Sequence, residues 1–207
     1  MLIIGMTGRS GSGKGYVSAV FDGYGIPSLD TDAVSRIVYE PEQACYRELV
    51  SYFGEEILAP DRTIDRKMLF SVAFGNEEKY KALNEIAHRH ILGYSRDWIK
   101  KQEELGRNAV IIDAPMLFES GFDSECDVTL AIITDDDICI KRLIERDGIT
   151  EEIARKRLAK QKNDDYYIEQ CDFSVYNNGE EPDKLRNSIK DIVNKLKENE
   201  KWKTLRP

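Results

Sequence analysis

A glycine-rich segment near the N-terminus, "GMTGRSGSGKGY" at residues 5–16, has the residue types and spacing for phosphate binding. Four residues separate Gly8 from Gly13, and Lys14 follows. Glycines let the backbone turn its N–H groups toward phosphate oxygens, and the lysine can reach the β- and γ-phosphates. The alternative is a Gly/Ser-rich turn with a surface lysine, but a predicted strand precedes this segment and a predicted helix follows it, as the motif requires. The predicted contacts to ATP are Gly8, Gly11, Ser12, Gly13, Lys14, Gly15 and Tyr16.

Gly15 occupies the position where such loops usually carry the Ser or Thr that binds Mg²⁺. Because Mg²⁺ keeps several waters and takes few protein ligands, a water in the vacated space could bridge to a neighbouring carboxylate. We therefore expect a weakened or rearranged metal site, and either tolerance of glycine or a backbone requirement for it. Tyr16 is expected either to stack near the nucleotide or to pack.

Three aspartates follow predicted strands at the edge of the sheet where ligands bind. Asp30 and Asp32 come after the second strand, where a carboxylate can accept a proton from an attacking hydroxyl or cap a helix. Asp113 ends the third strand in "IIDAP", the place of a metal-associated acid, although a buried turn-forming aspartate is the alternative. From the residues alone, catalysis and helix capping are equally supported for Asp32, while Lys14 is a candidate catalytic residue and Asp113 is the candidate metal ligand.

Basic residues are frequent between residues 141 and 162. Planar guanidinium groups suit the oxygens of a phosphoryl group in transfer, whereas a solvated helix face is the plainer explanation. We select Arg142 and Arg146 as ATP ligands and Arg155 as a substrate ligand. His88 and His90 point to different sides of a helix, and His90 is expected to be packed rather than to bind metal.

The hydrophobic pattern predicts an α/β fold that can position these residues. Five short strands, each followed by a helix, indicate a parallel sheet with helices on both faces. The segment from about 42 to 105 is helical throughout, with a cap at Asp65 and its longest helix at 77–105. We therefore predict a helical subdomain inserted between the second and third strands. The other expected helices are at 14–22, 135–147, 150–162 and 183–202.

Composition excludes several classes of protein. The chain has 207 residues and a net charge of -8, which argues against generic nucleic-acid binding. It has no apolar run of about 18 residues and no signal-peptide core, so a cytoplasmic location without membrane attachment is expected. Four widely spaced cysteines form no C-x-x-C pair or zinc pattern and are expected to be reduced. No obligate protein partner is evident.

An ordered series of motifs over nearly the whole chain resembles the dephospho-CoA kinase family. After the phosphate loop come "LDTDAVSRIVYEP", with a D-x-D at Asp30 and Asp32, and "YFGEEILAPDRTIDRKML". The series continues with "VIIDAPMLFESGFDSECD", "RLIERDGITEEIARKRLAKQ" and "CDFSVYNNG". A lone phosphate loop is shared by many kinases, whereas this ordered set is specific.

The resemblance implies a single P-loop kinase domain over 1–207 that phosphorylates the ribose 3′-hydroxyl of dephospho-CoA with ATP and Mg²⁺. It implies Asp32 as the base, Arg66 as a substrate ligand, and Asp113 on the substrate side. The implied organisation is a P-loop NTPase-type core (1–41, 107–141 and 171–207), a helical CoA-binding subdomain (about 42–106) and a helical lid (about 142–170).

Two departures from the family pattern stand out. The family's G-K-[ST]-T is Lys14-Gly15-Tyr16 here, and its His-Pro pair is His88-Arg89. Three alternatives therefore stay open: a kinase of another nucleoside or small alcohol, a non-catalytic nucleotide-binding module, and a structural or interaction protein. The extended match at 113–127 argues against the first, and Asp32, Arg66 and the arginines of the predicted lid argue against the second. The third leaves the phosphate loop without a purpose.

Overall fold

The computed structural model describes residues 1–179 and 182–203. Glu180 and Glu181 of the predicted loop "NNGEEP", and residues 204–207 at the end of the predicted core, lie outside the described residues. The described strands are β1 (Leu2–Thr7), β2 (Ser28–Asp30), β3 (Ala109–Asp113), β4 (Val128–Ile133) and β5 (Phe173–Tyr176). The described helices are α1 (Lys14–Asp22), α2 (Thr31–Val38), α3 (Ala44–Phe53), α4 (Arg66–Ala73), α5 (Glu77–Glu104), α6 (Asp136–Asp147), α7 (Glu151–Ala159), α8 (Asp164–Gln170), α9 (Pro182–Glu198) and α10 (Glu200–Lys203).

The strands form one five-stranded sheet in the order β2-β3-β1-β4-β5. β1 pairs in parallel with β3, where Met6 lies opposite Asp113, and with β4, which in turn pairs in parallel with β5. The predicted parallel sheet is thereby confirmed. Because the strands run the same way, the segments that follow β1, β3, β4 and β5 all start from one edge. That edge carries the phosphate loop.

Apolar side chains of β4 are buried on both faces of the sheet, because successive residues of a strand point to opposite sides. Leu130 and Ile132 of β4 belong to the main core with α1 and α9, whereas Ala131 and Ile133 pack with Tyr167 of α8 on the other side. A strand that is buried on both faces needs apolar residues at nearly every position, which explains the near-continuous apolar runs in the sequence. Helix α8 is an element that the sequence pattern did not predict.

The chain divides into two compact units, Met1–Leu29 with Lys101–Pro207 and Asp30–Lys100. We call them the α/β unit and the helical unit. The segment 42–105 contains no strand, as predicted, apart from a single antiparallel bridge between Leu58 and Ile64. No helix among the described residues is both long enough and apolar enough to cross a membrane.

Local sequence signals begin and end several helices as expected. Asp65 caps α4, its Oδ1 accepting from the N–H groups of Lys67 (2.9 Å) and Met68 (3.0 Å). Within α5, Leu83, Ile86 and Ala87 are buried, as their 3.6-residue spacing on one face of the helix would require. All four cysteines are free thiols, and burial raises the pKa of Cys45 and Cys126 to about 12 and that of Cys139 and Cys171 to about 11.

Candidate active site

The loop that connects β1 to α1 needs glycine at three positions. Gly8, Gly11 and Gly13 have φ values of 144°, 84° and 82°, which disfavour residues with a Cβ. A Cβ on Gly8 would lie 2.5 Å from the Ile132 carbonyl oxygen, and one on Gly11 would lie 2.6 Å from that of Cys139. The glycines therefore allow both the turn of the loop and its close approach to β4 and α6.

The outward carbonyl groups of the loop are held by side chains from three other segments. The Ser12 oxygen accepts from Thr134 Oγ1 (3.1 Å), Asn177 Nδ2 (2.8 Å) and Arg142 Nη1 (3.3 Å). Arg142 also donates to the Gly11 oxygen at 3.2 Å. In a planar trans peptide the N–H points opposite to the C=O, so fixing the Ser12 carbonyl turns the following Gly13 N–H toward the concave side, whereas the Ser12 N–H donates to the Arg9 oxygen at 3.2 Å and tightens the turn. The loop is thus shaped to bind an anion.

Lys14 is the first residue of α1, and its Nζ donates to the Gly8 oxygen at 3.0 Å. The ammonium group therefore crosses the loop from its last residue to its first. The N-terminus of α1 adds partial positive charge at the same place. Together they place positive charge beside the loop, and phosphate binding by these residues stays a prediction.

Arg9 and Ser10 connect the same loop to the region after β4. Arg9 is buried and forms ion pairs with Asp136 (2.6 Å) and Asp164 (2.8 Å). The Ser10 N–H donates to Gln161 Oε1 at 2.9 Å, and Gln161 Nε2 donates back to Ser10 Oγ at 3.2 Å. These contacts, like those of Thr134 and Asn177, were not found by the sequence analysis. The position of Thr134 and Asn177 directly after β4 and β5 is the signal that could have identified them.

A cavity of about 580 Å³ opens beside the loop. Gly13, Tyr16 and Arg142 line one part of it, and Tyr176 and Asn177 line another. Tyr16 is 44% exposed and Tyr176 is 61% exposed, so both rings present a face to solvent rather than to the core. The volume lies in the range of ordinary ligand pockets. Of the two roles expected for Tyr16, core packing is excluded.

Gly15 has an ordinary negative φ, unlike the loop glycines, and a Cβ built on it meets no atom within 4 Å. No backbone requirement for glycine exists at this position, so of the two explanations for Gly15 the structure favours tolerance. The open space is large enough for a water where a hydroxyl would otherwise lie.

Asp113 is buried at the end of β3, opposite Met6 of β1. It therefore lies at the sheet edge, next to the strand that leads into the phosphate loop. The described residues contain no group of three or more His, Cys, Asp or Glu side chains that could hold a metal ion. A cation at this edge would need phosphate and water oxygens in addition to one carboxylate.

The three arginines selected from the sequence lie at different places. Arg142 contacts the loop directly, and Arg146 borders a shallow cleft with Gly11, Gly13 and Arg142. The Arg146 side chain hydrogen-bonds to Asp147 (2.7 and 3.0 Å), and this contact together with Arg157 lowers the pKa of that carboxyl to about 2, against the opposite effect of burial. Arg155 pairs instead with Glu151 (2.8 Å) and Asp137 (3.6 Å) in a groove between α6 and α7.

In the helical unit, Asp30 and not Asp32 caps α2. Asp30 Oδ1 accepts from the N–H groups of Asp32 (2.8 Å) and Ala33 (3.3 Å), which places Asp32 in the first turn with an exposed side chain. The capping role considered for Asp32 is therefore wrong. The Ser35 hydroxyl donates to the Asp32 carbonyl oxygen (2.7 Å) and accepts from Arg66 (3.1 Å). Asp32 and Arg66 are thus joined through one serine.

Arg66 also lies over an aromatic ring, with its guanidinium carbon 5.2 Å from the centroid of Tyr39. Burial raises the pKa of Tyr39 to about 12, so this phenol is neutral at physiological pH. A cation over an aromatic face is attracted by the ring quadrupole. Stacking and hydrogen bonding together orient the Arg66 side chain.

His90 is a packed histidine, as the sequence analysis expected. Its Nε2 lies 2.8 Å from Glu48 Oε2, and Arg89 pairs with the other oxygen of the same carboxylate. Hydrogen bonds from Arg89 and His90 lower the pKa of Glu48. This cluster joins α3 to α5, which is a structural role.

Comparison with known proteins gives consistent matches over this chain. A family model described as dephospho-CoA kinase matches residues 2–183. Proteins named dephospho-CoA kinase from Geobacillus kaustophilus and Corynebacterium glutamicum are 40% and 38% identical over 181 and 179 residues. Each alignment covers 86% of this chain, and 89% and 90% of the respective relative.

Two solved structures extend the similarity to the fold. The structure of TT1252 from Thermus thermophilus has a TM-score of 0.79 and 27% identity, covering 94% of this chain and 97% of its own. Dephospho-CoA kinase from Campylobacter jejuni has a TM-score of 0.67 and 25% identity, covering 95% and 98%. The similarity therefore includes both the sheet and the helical segment that interrupts it.

Proposed function

The chain belongs to the dephospho-CoA kinase family, and we propose that it transfers the γ-phosphoryl group of ATP to the ribose 3′-hydroxyl of dephospho-CoA. The products are coenzyme A and ADP. The observation that carries the proposal is the phosphate loop, with three glycines at positive φ, its carbonyls held outward and Lys14 across it. Family membership supplies the acceptor.

In this proposal the phosphates of ATP follow the loop from Gly8 to Gly15, and the nucleoside occupies the 580 Å³ cavity beside Tyr16 and Arg142. The loop N–H groups and the α1 terminus hold the β-phosphate, while Lys14 reaches the β- and γ-phosphates. Arg142 holds the Gly11 and Ser12 carbonyls and also lines the cavity, so its positive charge lies beside the bound nucleotide. Arg146 and Arg155 add charge from the predicted lid, 142–170.

Asp32 receives the proton of the 3′-hydroxyl as that oxygen attacks the γ-phosphorus. The new O–P bond forms while the bond from the γ-phosphorus to the bridging oxygen of ADP breaks, so the proton ends on the carboxylate and the electron pair leaves with ADP. The Asp30 cap holds the first turn of α2, and therefore the Asp32 backbone, in place. Arg66 holds the acceptor, and the predicted subdomain 42–106 binds the rest of dephospho-CoA.

The residues present fit a Mg²⁺ site of the rearranged kind. Asp113 supplies one buried carboxylate at the sheet edge, and the open space at Gly15 admits a water in place of the missing hydroxyl. Mg²⁺ held there would supply positive charge that offsets the negative charge developing on the transferred phosphoryl group. Closure of the lid residues over the phosphates would exclude water, which otherwise hydrolyses ATP. We infer a cytoplasmic enzyme that acts on these two small-molecule substrates.

One assay tests the proposal directly. Purified protein is incubated with ATP, Mg²⁺ and dephospho-CoA, and mass spectrometry follows the gain of one phosphoryl group and the formation of ADP. Omission of ATP and the Lys14→Ala variant are the controls, and neither should yield coenzyme A. Phosphorylation of another nucleoside or alcohol in preference would indicate a related kinase. ATP binding without product, across several divalent metals, would indicate a nucleotide-binding module.

A further inference from the structure

Arg9 is a buried arginine inside the phosphate loop, and its side chain contacts residues that follow β4. Its side chain is 8% exposed. Nε and Nη2 lie 2.8 and 2.9 Å from the two carboxylate oxygens of Asp164, while Nη2 lies 2.6 Å from Asp136 and donates to the Thr134 oxygen at 3.2 Å. The guanidinium therefore points away from the concave side of the loop. Its contacts extend across more than a hundred residues of sequence.

The two carboxylates mark the two ends of one structural segment. Asp136 is the first residue of α6 and Asp164 is the first residue of α8, so the α6–α7 hairpin lies between them. This hairpin has its own small apolar cluster and carries Arg142. The reciprocal pair of Ser10 and Gln161 adds a second tie close to Asp164. The phosphate loop is thus fastened to both ends of the hairpin.

The charges of Arg9, Asp136 and Asp164 bear on nucleotide binding, because these side chains lie next to the phosphate loop. Two carboxylates and one guanidinium sit beside a loop built for an anion, and the guanidinium is the group that offsets them. The Asp164 side chain is 24% exposed and the Asp136 side chain is 64% exposed, so Asp164 is the more buried partner of Arg9. Removing one partner of a buried ion pair leaves its counter-charge uncompensated. Without Arg9, both carboxylates would oppose the approach of a triphosphate.

We propose that Arg9 is a positioning residue for ATP, which holds the phosphate loop to both ends of the α6–α7 hairpin and neutralises Asp136 and Asp164. The proposal deepens the proposed function, because the nucleotide it concerns is the phosphoryl donor. ATP affinity measured by calorimetry tests it without any transfer reaction. A wild-type protein that binds ATP yet leaves dephospho-CoA unchanged would defeat the proposed function and leave the Arg9 measurement readable.

The experiment compares Arg9→Gln, Arg9→Lys and a matched control, Arg62→Gln. Arg62 also pairs with a carboxylate, since it contacts both oxygens of Glu55 at 3.1 Å, but it is exposed in the helical unit. For each variant, ATP affinity, the KM for each substrate, kcat and the melting temperature are measured. A merely structural role would not separate the two KM values.

Arg9→Gln should weaken ATP binding by about tenfold, while the KM for dephospho-CoA changes by less than about twofold. Arg9→Lys keeps the positive charge but loses the planar guanidinium that binds both oxygens of Asp164, so it should weaken ATP binding by only about threefold. Asp164→Asn in the Arg9→Gln background removes one of the opposing charges and should recover part of the lost ATP affinity. Arg62→Gln should bind ATP like the wild type.

Wild-type ATP affinity in a folded Arg9→Gln protein would overturn the proposal. So would an equal rise in both KM values, or a double variant that binds ATP no better than Arg9→Gln alone. If Arg9→Gln does not fold, Arg9→Lys decides the matter: an ATP-specific loss supports the proposal, and unchanged ATP affinity overturns it.

Discussion

The phosphate loop and the acceptor residues of the helical unit are built in opposite ways. Around the loop, Arg9, Ser12 and Asp113 are buried, and side chains from distant segments hold the backbone. In the helical unit, Asp32 and Arg66 are exposed on the first turns of α2 and α4, and a single serine connects them. The phosphate loop is held by buried contacts within the α/β unit, whereas Asp32 and Arg66 are exposed to solvent within the helical unit.

Because of this difference in burial, substitutions near the phosphate loop and substitutions at Asp32 or Arg66 should affect stability and activity differently. A preorganised electrostatic site does not have to reorganise when charge develops, which favours transition-state stabilisation at the phosphate loop. Buried polar groups that lose their partners also cost stability, so changes beneath the loop should affect folding and ATP binding together. Changes at exposed acceptor residues should affect catalysis or acceptor binding alone. The variants below test that division, beginning with the largest expected effect.

Lys14→Ala should lower kcat by about a thousandfold or more, because it removes the cation that reaches the transferred group. Lys14 has one hydrogen bond, to the Gly8 oxygen, among those described for it, so the melting temperature should change little. Steady-state kinetics and thermal unfolding measure the two effects. Lys190→Ala on the exposed face of α9 is the matched control. Substantial turnover by Lys14→Ala would mean that the loop does not act as inferred.

Asp32→Asn should lower kcat by about 10²- to 10³-fold while leaving ATP affinity and stability unchanged, because the proposed mechanism uses this carboxylate as the base and Asp30 is the residue that caps α2. Asp30→Ala is the converse variant. It removes the cap of α2 and should lower the free energy of unfolding by about 1 kcal/mol. Near-full activity in Asp32→Asn, with ATP binding intact, would refute the assignment of the base. It would also contradict the expectation that substitutions at the exposed residues of the helical unit affect catalysis alone.

Arg66→Ala should raise the KM for dephospho-CoA by about tenfold and leave the KM for ATP unchanged, since a charge-assisted contact to the acceptor is lost. The side chain is exposed, so little stability should be lost with it. Arg62→Ala removes another exposed arginine of the same unit and should alter neither KM. A rise in the KM for ATP in Arg66→Ala would show that the two substrate sites are not separable in this way.

Features that depend on residues close together in the sequence could be predicted. The loop glycines, the Asp65 cap and the strands depend on spacing within a few residues, and all are present in the structure. Short helix α8 was missed because its seven residues carry no clear periodic pattern. Family resemblance supplied the roles of Asp32 and Arg66, which exposed polar residues do not reveal by themselves.

The bracing of the loop could not be predicted, because its partners are far apart in sequence. Arg9 meets Asp164, and Ser12 meets Asn177, across 155 and 165 residues. Among the basic residues of 141–162, composition could not distinguish Arg142, which contacts the loop, from Arg155, which pairs with Glu151. Only the packing of α6 against the loop makes that distinction.

Gly15→Ser gives the smallest expected effect and is the sharpest test inside the phosphate region. A Cβ at this position meets no atom within 4 Å, and the backbone has no positive φ, so the variant should fold and gain roughly half a kcal/mol in helix propensity. The new hydroxyl can replace the water inferred at the metal site. The Mg²⁺ concentration for half-maximal rate should therefore fall by about threefold.

Gly15→Ala separates the hydroxyl from the helix, because it brings at least the same gain in propensity without an oxygen ligand. It should raise the melting temperature and leave the Mg²⁺ dependence unchanged. If Gly15→Ser also leaves metal dependence and rate unchanged, the position was never the missing ligand. The metal would then be held by the buried carboxylate and the phosphates alone. The phosphate region would tolerate glycine at its one open position because its bracing lies elsewhere, in Arg9, Thr134, Arg142 and Asn177.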